Sequence, residues 1–408
     1  MISIEMLPAA HGDALWIEYG SARQTRRILI DGGPAHTYEA GLRKRIALLP
    51  EESRNCDLMV VTHIDADHID GALILLQDKN SSAGLKFQIK ELWFNGWDQL
   101  SEFRVDTYAP LQGEFLGGLI QTDRELKRAW NRSFDNGPVM VPANGPLPED
   151  IGPLPEIELE GEARITLVGP TATELRRLRA RWSSAIRDFM PGDVSEALRR
   201  LKERRDYRAP ATPAVFSARQ YGADRSAANG SSISFVLEHG GVSVLLVGDA
   251  HARTLATTLS RLAAQRSVAR LRFDAVKLPH HGSMGNVNDA WLRVVDCDRW
   301  LISTNGAVFN HPDVETVQLI ARHCEKKPTI YCNYRSDTTS RLENAADWIT
   351  VFPEKSKPMG GLSLQLTAAG SSSASRKSGV SGEAPVSVSA GRSKRKRSST
   401  RRGKGRGK

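Results

Sequence analysis

"VVTHIDADHIDGA", residues 60–72, sets two histidines and three aspartates within eight positions, directly after an apolar run. Charge at that density beside a buried strand is costly unless a counter-ion or hydrogen bonds neutralise it. The preceding "DLMVV" (57–61) is a continuous apolar stretch of strand length, the pattern of a strand covered on both faces. His63, Asp65, Asp67 and His68 therefore stand in the loop after a buried strand and before "IDGA", which reads as a helix start. Imidazole together with carboxylate suits Zn²⁺, Mn²⁺ or iron, and not Ca²⁺, which takes oxygen ligands alone. The spacing lets one loop aim four donors into one cleft. Asp67 and His68 can serve one ion while His63 and Asp65 serve another. The competing reading is a solvated acidic loop whose aspartates cap the helix.

Around this stretch the chain alternates strands and helices. "ISIEML", "ALWIEY" and "RRILID" read as short strands, "TYEAGLRKRIALLP" as a helix stopped by Pro50, and "KELWFNGW" as a further strand. "ARITLVGPTATELRRLRARWSSAIRDF" reads as a strand, a Gly-Pro turn and an amphipathic helix capped near Thr171 or Thr173. "SSISFVLEHGGVSVLLVGDA" is a hairpin turning at "HGG", and "HARTLATTLSRLAAQ" the helix after it. "FDAVKLP", "RWLISTNG", "PTIYCNY", "WITVF" and "LSLQL" are strands, and Pro312 and Asp313 open the helix "DVETVQLIARH". Asp98 to Asp224 is the least patterned part and is expected to hold insertions, roughly 99–160 and 190–225.

Two further clusters end predicted strands. Asp249 closes "SVLLVGD", too apolar a strand to leave a carboxylate without a partner, unless Asp249 caps the helix that follows. His280 and His281 end "DAVKLP", with Gly282 giving the backbone freedom to turn around a site. One of that pair suffices as a ligand. His281 is favoured, with His280 nearer the substrate, though period-two alternation does not decide between them.

Composition bounds the rest. The chain has 408 residues, 40% hydrophobic and 25% charged, with no apolar run near the roughly 20 residues a membrane helix needs. The N-terminus lacks a signal-peptide pattern, and four cysteines without CxxC spacing make a poor disulfide framework, so a cytoplasmic location is expected. The net charge of +9 is uneven: from Ala369 onward twelve Lys or Arg face the single acid Glu383, a charge of +11, which leaves the body at −2. Residues 368–408, poor in large apolar side chains, are expected to be a disordered tail. Lys394, Arg395, Lys396, Arg397, Arg401 and Arg402 make its densest run, a candidate arm for nucleic acid.

The loop 60–72 resembles the second motif of the metallo-β-lactamase superfamily, His-x-His-x-Asp-His, with Asp65 in place of the second histidine. The variant is similar to the soluble hydrolase domain of competence DNA-uptake proteins. "AAHGDALWIEYG" with "ILIDGG", "NGSSISFVLEHGGVSVLLVGDA", "DAVKLPHHGSMGN" and "LISTNGAVFNHPD" resemble further segments of that group, in the same order. The resemblance implies one αββα four-layer sandwich, an α/β fold, over residues 1–367. It implies a structural role for Asp31 and a bridging role for Asp249. No histidine holds the third-motif place, where Asn229 and Ser231 fall. Metal site two (Asp67, His68, Asp249, His281) then looks complete, and site one (His63, Asp65, Asp249) oxygen-rich. One or two divalent ions are expected, Zn²⁺ or Mn²⁺, with Mg²⁺ admissible at the oxygen-rich site.

The function that follows is metal-dependent hydrolysis. An ion lowers the pKa of bound water toward ~7, giving hydroxide at neutral pH. Asp67 would orient it, with His280 and His311 as further catalytic candidates. His11, Asn229, Ser283 and Asn305 are candidate substrate contacts, and Asn310 a further polar one. Trp93, Phe94 and Trp97 read as core. The favoured reaction is phosphodiester hydrolysis on DNA or RNA, the basic tail agreeing. The alternatives are a small-ester hydrolase, for a phosphocholine ester or lactone, and a nucleic-acid-binding protein that has lost catalysis.

Overall fold

The computed structural model describes residues 1–368 apart from 22, 80, 82–83, 101–110, 143–151, 183–189, 204–221 and 356–358. The basic tail from 369 onward and parts of both expected insertions lie outside the described residues.

Two mixed sheets carry the fold. The first runs, in spatial order, Leu362–Leu366, Ile2–Met6, Leu15–Ser21, Gln24–Ile30, Leu58–Val60 and Leu92–Trp93. The second runs Ile349–Val351, Thr329–Cys332, Arg299–Ile302, Ala275–Lys277, Val242–Leu246, Ser234–His239, Ala163–Gly169 and Glu156–Leu159. Side-chain alternation shows how they stack. Leu15, Ile17, Tyr19, Ile28, Ile30, Leu58 and Val60 share one core with Ile165, Leu167, Phe235, Val244 and Leu246 of the second sheet. Trp16, Leu29, Met59 and Val61 turn the other way, into a core with the helices Ala66–Lys79 and Leu111–Thr122. Each inward side chain contributes about 1.5–3 kcal/mol by burial, and a one-residue register slip would reverse every placement. The helix Ala252–Gln265 covers the second sheet through Leu255, Leu259 and Leu262. The layers are therefore helix, sheet, sheet, helix, the αββα arrangement expected.

Parallel strands share their ends, and that gathers the chemistry. Gln24–Ile30 pairs parallel with Leu58–Val60, and Val242–Leu246, Ala275–Lys277 and Arg299–Ile302 pair parallel in turn. The segments after Ile30, Val60, Leu246, Lys277 and Ile302 thus leave along one edge, the place where open α/β sheets bind ligands.

The stretch 99–160 supplies more of the scaffold than its composition suggested. Glu156–Leu159 is the edge strand of the second sheet, its residues alternately exposed and half-buried. An edge with little buried surface has no apolar signature to read. The helix Leu111–Thr122 was hidden by its three glycines, each about 1 kcal/mol less favourable than alanine in a helix. The capped helix is as expected: Thr171 precedes Ala172–Trp182, and Glu174 Oε2 accepts from Thr171 N at 3.1 Å. No helix among the described residues is long and apolar enough to cross a membrane.

Candidate metal centre

The loop after Leu58–Val60 carries His63, Asp65, Asp67 and His68 toward the segments holding Asp249 and His281. His63, His68, Asp249 and His281 are all buried. Asp249 does not cap the following helix, which starts at Ala252 with His251 at the N-cap. Residues 280–282 all have positive φ, at 46°, 56° and 86°. Only the last is glycine. Two histidines held in this sparsely populated region are a local strain of the kind found at functional sites.

Each histidine is fixed from behind. His68 Nδ1 meets Asp31 Oδ2 at 2.8 Å, and His281 Nδ1 meets the Ser303 carbonyl at 2.9 Å. Both oxygens can only accept, so both rings carry their proton on Nδ1. The Thr62 hydroxyl donates to Asp31 Oδ2 at 2.8 Å, which leaves its oxygen to accept from His63 Nδ1 at 3.0 Å. All three Nε2 atoms then present a lone pair inward. His63 Nε2, His68 Nε2, His281 Nε2 and Asp249 Oδ1 are buried without a hydrogen-bond partner. Asp249 Oδ2 lies 3.4 Å from His68 Nε2, 3.8 Å from His281 Nε2 and 3.9 Å from His63 Nε2. Imidazoles oriented through one nitrogen and bare at the other, around a buried carboxylate, fit a divalent transition-metal ion.

The electrostatics say the same. Burial disfavours a charged imidazole at His281, yet Asp249, Asp13 and Asp67 outweigh it and push its pKa up to about 9. His68 is raised well above the ordinary histidine value, against its own burial, by Asp249, Asp31 and Asp67. Burial raises the Asp249 carboxyl, but His68, His281 and His280 hold it well below the usual range. The carboxylates around His68 and His281 thus make this centre favourable to positive charge.

Asp67 Oδ2 lies 3.4 Å from His281 Nε2 and 4.0 Å from His68 Nε2, which completes the grouping Asp67, His68, Asp249 and His281. The other grouping has one member more than the spacing suggested. Asp65 Oδ2 is 3.6 Å from His63 Nε2, and His280 Nε2 is 3.9 Å from Asp249 Oδ2, the distance His63 Nε2 keeps. His280 is therefore not excluded from the centre by His281; both rings come within 3.9 Å of Asp249 Oδ2. Its Nδ1 is held by Asn286 Oδ1 at 3.0 Å, with Asp224 Oδ2 at 3.5 Å.

Asp13 is the buried member that the spacing did not single out. Asp13, His68, Asp249 and His281 each bring one donor atom within 4.8 Å of the others. Asp13 Oδ2, however, pairs with Lys277 Nζ at 2.7 Å, and Oδ1 lies 3.4 Å from His281 Nδ1, the nitrogen facing away from the centre. That is where a carboxylate orients a ligating imidazole. Burial pushes Asp13 up, but Lys277 and His281 outweigh it and hold the carboxyl well below its usual range. Gly12 makes the approach feasible, since a Cβ there would fall 1.8 Å from the Asp67 carbonyl oxygen. Asp13 sits after a glycine between two apolar strands, and that was the available signal. Lys277→Met is expected to weaken metal binding about 10–100-fold. It should also destabilise the chain by about 3–5 kcal/mol, by leaving Asp13 charged and unpaired. Adding Asp13→Leu should restore stability in a urea melt but not the affinity measured by Mn²⁺ or Zn²⁺ titration.

The remaining candidates divide. His11 is buried near Asp67, and burial pushes its pKa down to about 4 although Asp67 opposes this. His311 lies at the mouth, its ring 5.2 Å from that of His280 and 6.3 Å from Phe309. Asn229, Ser283 and Asn305 each make a scaffold contact: Asn229 Nδ2 donates to Asp224 Oδ2 at 2.8 Å, Ser283 Oγ accepts from Gly285 N at 3.3 Å, and Asn305 Oδ1 accepts from Ala307 N at 3.0 Å. Asn229 Oδ1 is left buried without a hydrogen-bond partner. His251 is only 12% exposed, with Nε2 3.9 Å from Asp224 Oδ1. Trp93 and Phe94 are buried, and Trp97 packs on Trp182 at 6.3 Å. The tail residues Lys394–Arg402 lie outside the described residues.

No protein-family model matches this sequence, and no curated protein does. Among solved structures the chain is similar to CmlA, a diiron β-hydroxylase from Streptomyces venezuelae, at 12% identity and a TM-score of 0.37. That match covers 90% of this chain and 54% of the other, so the chain spans about half the length of CmlA. It is also similar to a diphosphatase of the PhnP family, at 13% identity and a TM-score of 0.35, over 90% of this chain and 98% of that one. The reading of the centre rests on this chain's own side chains.

Proposed function

We propose that this chain is a metal-dependent hydrolase acting on phosphodiesters, with nucleic acid as the substrate class. The observation that carries the reading is the convergence of three buried, unpartnered imidazole nitrogens on Asp249, with Asp67 alongside. A divalent ion held there would supply a Lewis acid and lower the pKa of bound water toward ~7. Asp67, its side chain 11% exposed beside His281, is placed to hold and orient the attacking water. Asp31 and Asp13, behind the rings, fix the tautomers that keep Nε2 free of a proton. His311, its ring 5.2 Å from that of His280, is the group able to give a proton to a departing alkoxide. None of the four cysteines is among the side chains gathered at this centre; three are buried, and half-buried Cys324 bonds the Cys297 carbonyl.

The test is a hydrolysis assay of metal-stripped protein resupplied separately with Mn²⁺, Zn²⁺ and Mg²⁺. A plasmid and a small chromogenic phosphodiester are the two substrates. Restoration by Mn²⁺ or Zn²⁺ on both is expected. Activity on the small diester alone would favour the small-ester alternative. Full metal loading without hydrolysis of either substrate would leave only the binding-protein alternative.

A further inference from the structure

We propose that Asp224 positions His280 as a ligand of the ion that His63 and Asp65 face. This rests on the metal-centre reading and not on the choice of substrate.

The two halves of the centre are unequal in donors. Asp67, His68 and His281 surround the shared Asp249 on one side. His63 and Asp65 are the named donors of the other. His280 Nε2 lies 3.9 Å from Asp249 Oδ2, as His63 Nε2 does, and brings that half to the same number.

Its ring is mounted as a ligand's ring is. Asn286 Nδ2 donates to Asp224 Oδ2 at 2.9 Å and to the Asp249 carbonyl at 3.1 Å, which turns Asn286 Oδ1 toward His280 Nδ1 at 3.0 Å. That oxygen only accepts, so Nδ1 carries the proton and the lone pair of Nε2 is left for a metal. Asp224 Oδ2 stands 3.5 Å behind the same N–H. Asp31 behind His68 and Asp13 behind His281 hold the corresponding place. A carboxylate there fixes the ring and raises the basicity of the nitrogen that binds metal.

Asp224 is itself held by the chain. Oδ1 accepts from Ser226 N at 2.8 Å, and Oδ2 accepts from Asn229 Nδ2 at 2.8 Å as well as from Asn286. Asp224 N donates to the Gly285 carbonyl at 3.1 Å, which ties the segment before the helix Ala227–Gly230 to the one that follows His280 and His281. Gly285 is needed for that approach, since a Cβ there would fall 2.9 Å from the Gly222 carbonyl oxygen. His280 N in turn donates to the Gly248 carbonyl at 3.2 Å, next to Asp249. Carboxylate, ring and bridging ligand are braced through backbone as well as side chains.

The experiment titrates the full chain, metal-stripped, with Zn²⁺ in competition with a chromogenic chelator, as a double-mutant cycle. Asp224→Asn keeps the size of the side chain and removes its charge. It is expected to weaken one of the binding steps about 10–100-fold. His280→Ala should weaken the same step at least as much. In the His280→Ala background, Asp224→Asn should change affinity by less than about twofold, because nothing is left for it to position. Ser226→Ala removes a hydroxyl that accepts from Asn229 N at 3.3 Å and keeps the Ser226 N–H on Asp224. It loosens the same turn and should titrate like the wild type. His280, its side chain 19% exposed, tests the ligand assignment independently of how well Asp224→Asn folds. Wild-type affinity in His280→Ala or in Asp224→Asn would overturn the assignment. So would equal weakening by Asp224→Asn with and without His280, or equal weakening by Ser226→Ala. A loaded wild type with an indifferent His280 strikes this assignment alone, whereas a wild type that takes up no Zn²⁺ strikes the centre and the preceding reading with it.

Discussion

Asp249→Ala is expected to remove bound metal and to lower phosphodiester turnover by at least about 10³-fold. Its Oδ2 lies within 3.9 Å of the inward nitrogens of His63, His68, His280 and His281, so it is the carboxylate both halves of the centre share. Without it four imidazoles face one another with no anion between them, and like-charge repulsion disfavours loading a cation as well. Asp67→Ala removes one donor from one half and leaves the bridge in place. Turnover should fall about as far, because the water loses its orienting base, but part of the metal should remain. The two variants therefore separate in metal analysis of dialysed protein while agreeing in the rate assay. Unchanged turnover and stoichiometry in the double variant would remove Asp67 and Asp249 from the site. Neither substitution should unfold the chain, because the imidazoles that lose a counter-charge can shed a proton and leave no unpaired buried charge behind.

The layer order and the loops at one edge were legible because they rest on short-range pattern. An apolar run such as "DLMVV" says strand, and a His/Asp cluster after it says that the strand's end faces something other than core. Candidate ligands that sit within eight positions of one another could be read as a set. Asp13 could not. Its partner Lys277 is 264 positions away, on the other sheet, and a lysine in "DAVKLP" carries no local mark of complete burial. The same holds for His280. Sequence presents two adjacent histidines and the habit of alternation, whereas the left-handed backbone at 280–282 lets both rings reach Asp249. Polar loop residues carry a double signal. Asn229, Ser283 and Asn305 lie in loops next to the site, and such loops must also satisfy their own backbone and hold Asp224 and the turns in place. The edge strand Glu156–Leu159 was missed because strand identity there comes from its partner Ala163–Gly169 and not from its own residues.

Truncation after Thr367 is expected to weaken binding of duplex DNA at low salt and to flatten its salt dependence, with small-diester turnover unchanged. The removed segment holds twelve Lys or Arg against one acid, while the body it leaves is close to neutral, at −2. Residues 1–369 form a compact unit by themselves, and every ligand named above lies inside it, so the metal centre should survive the cut. A polycation binds DNA by releasing condensed counter-ions, and log K falls with log salt at about −0.9 per neutralised phosphate. If the tail engages about six phosphates, its removal should flatten the slope by about 5 units. Raising salt from about 50 to about 200 mM would then cost the full chain about 10³-fold more affinity than the truncated one. The tail contributes charge without base-edge contacts, so the loss should be the same for unrelated duplex sequences. Equal duplex affinity and equal salt slope with and without residues 368–408 would rule out the tail as a nucleic-acid arm.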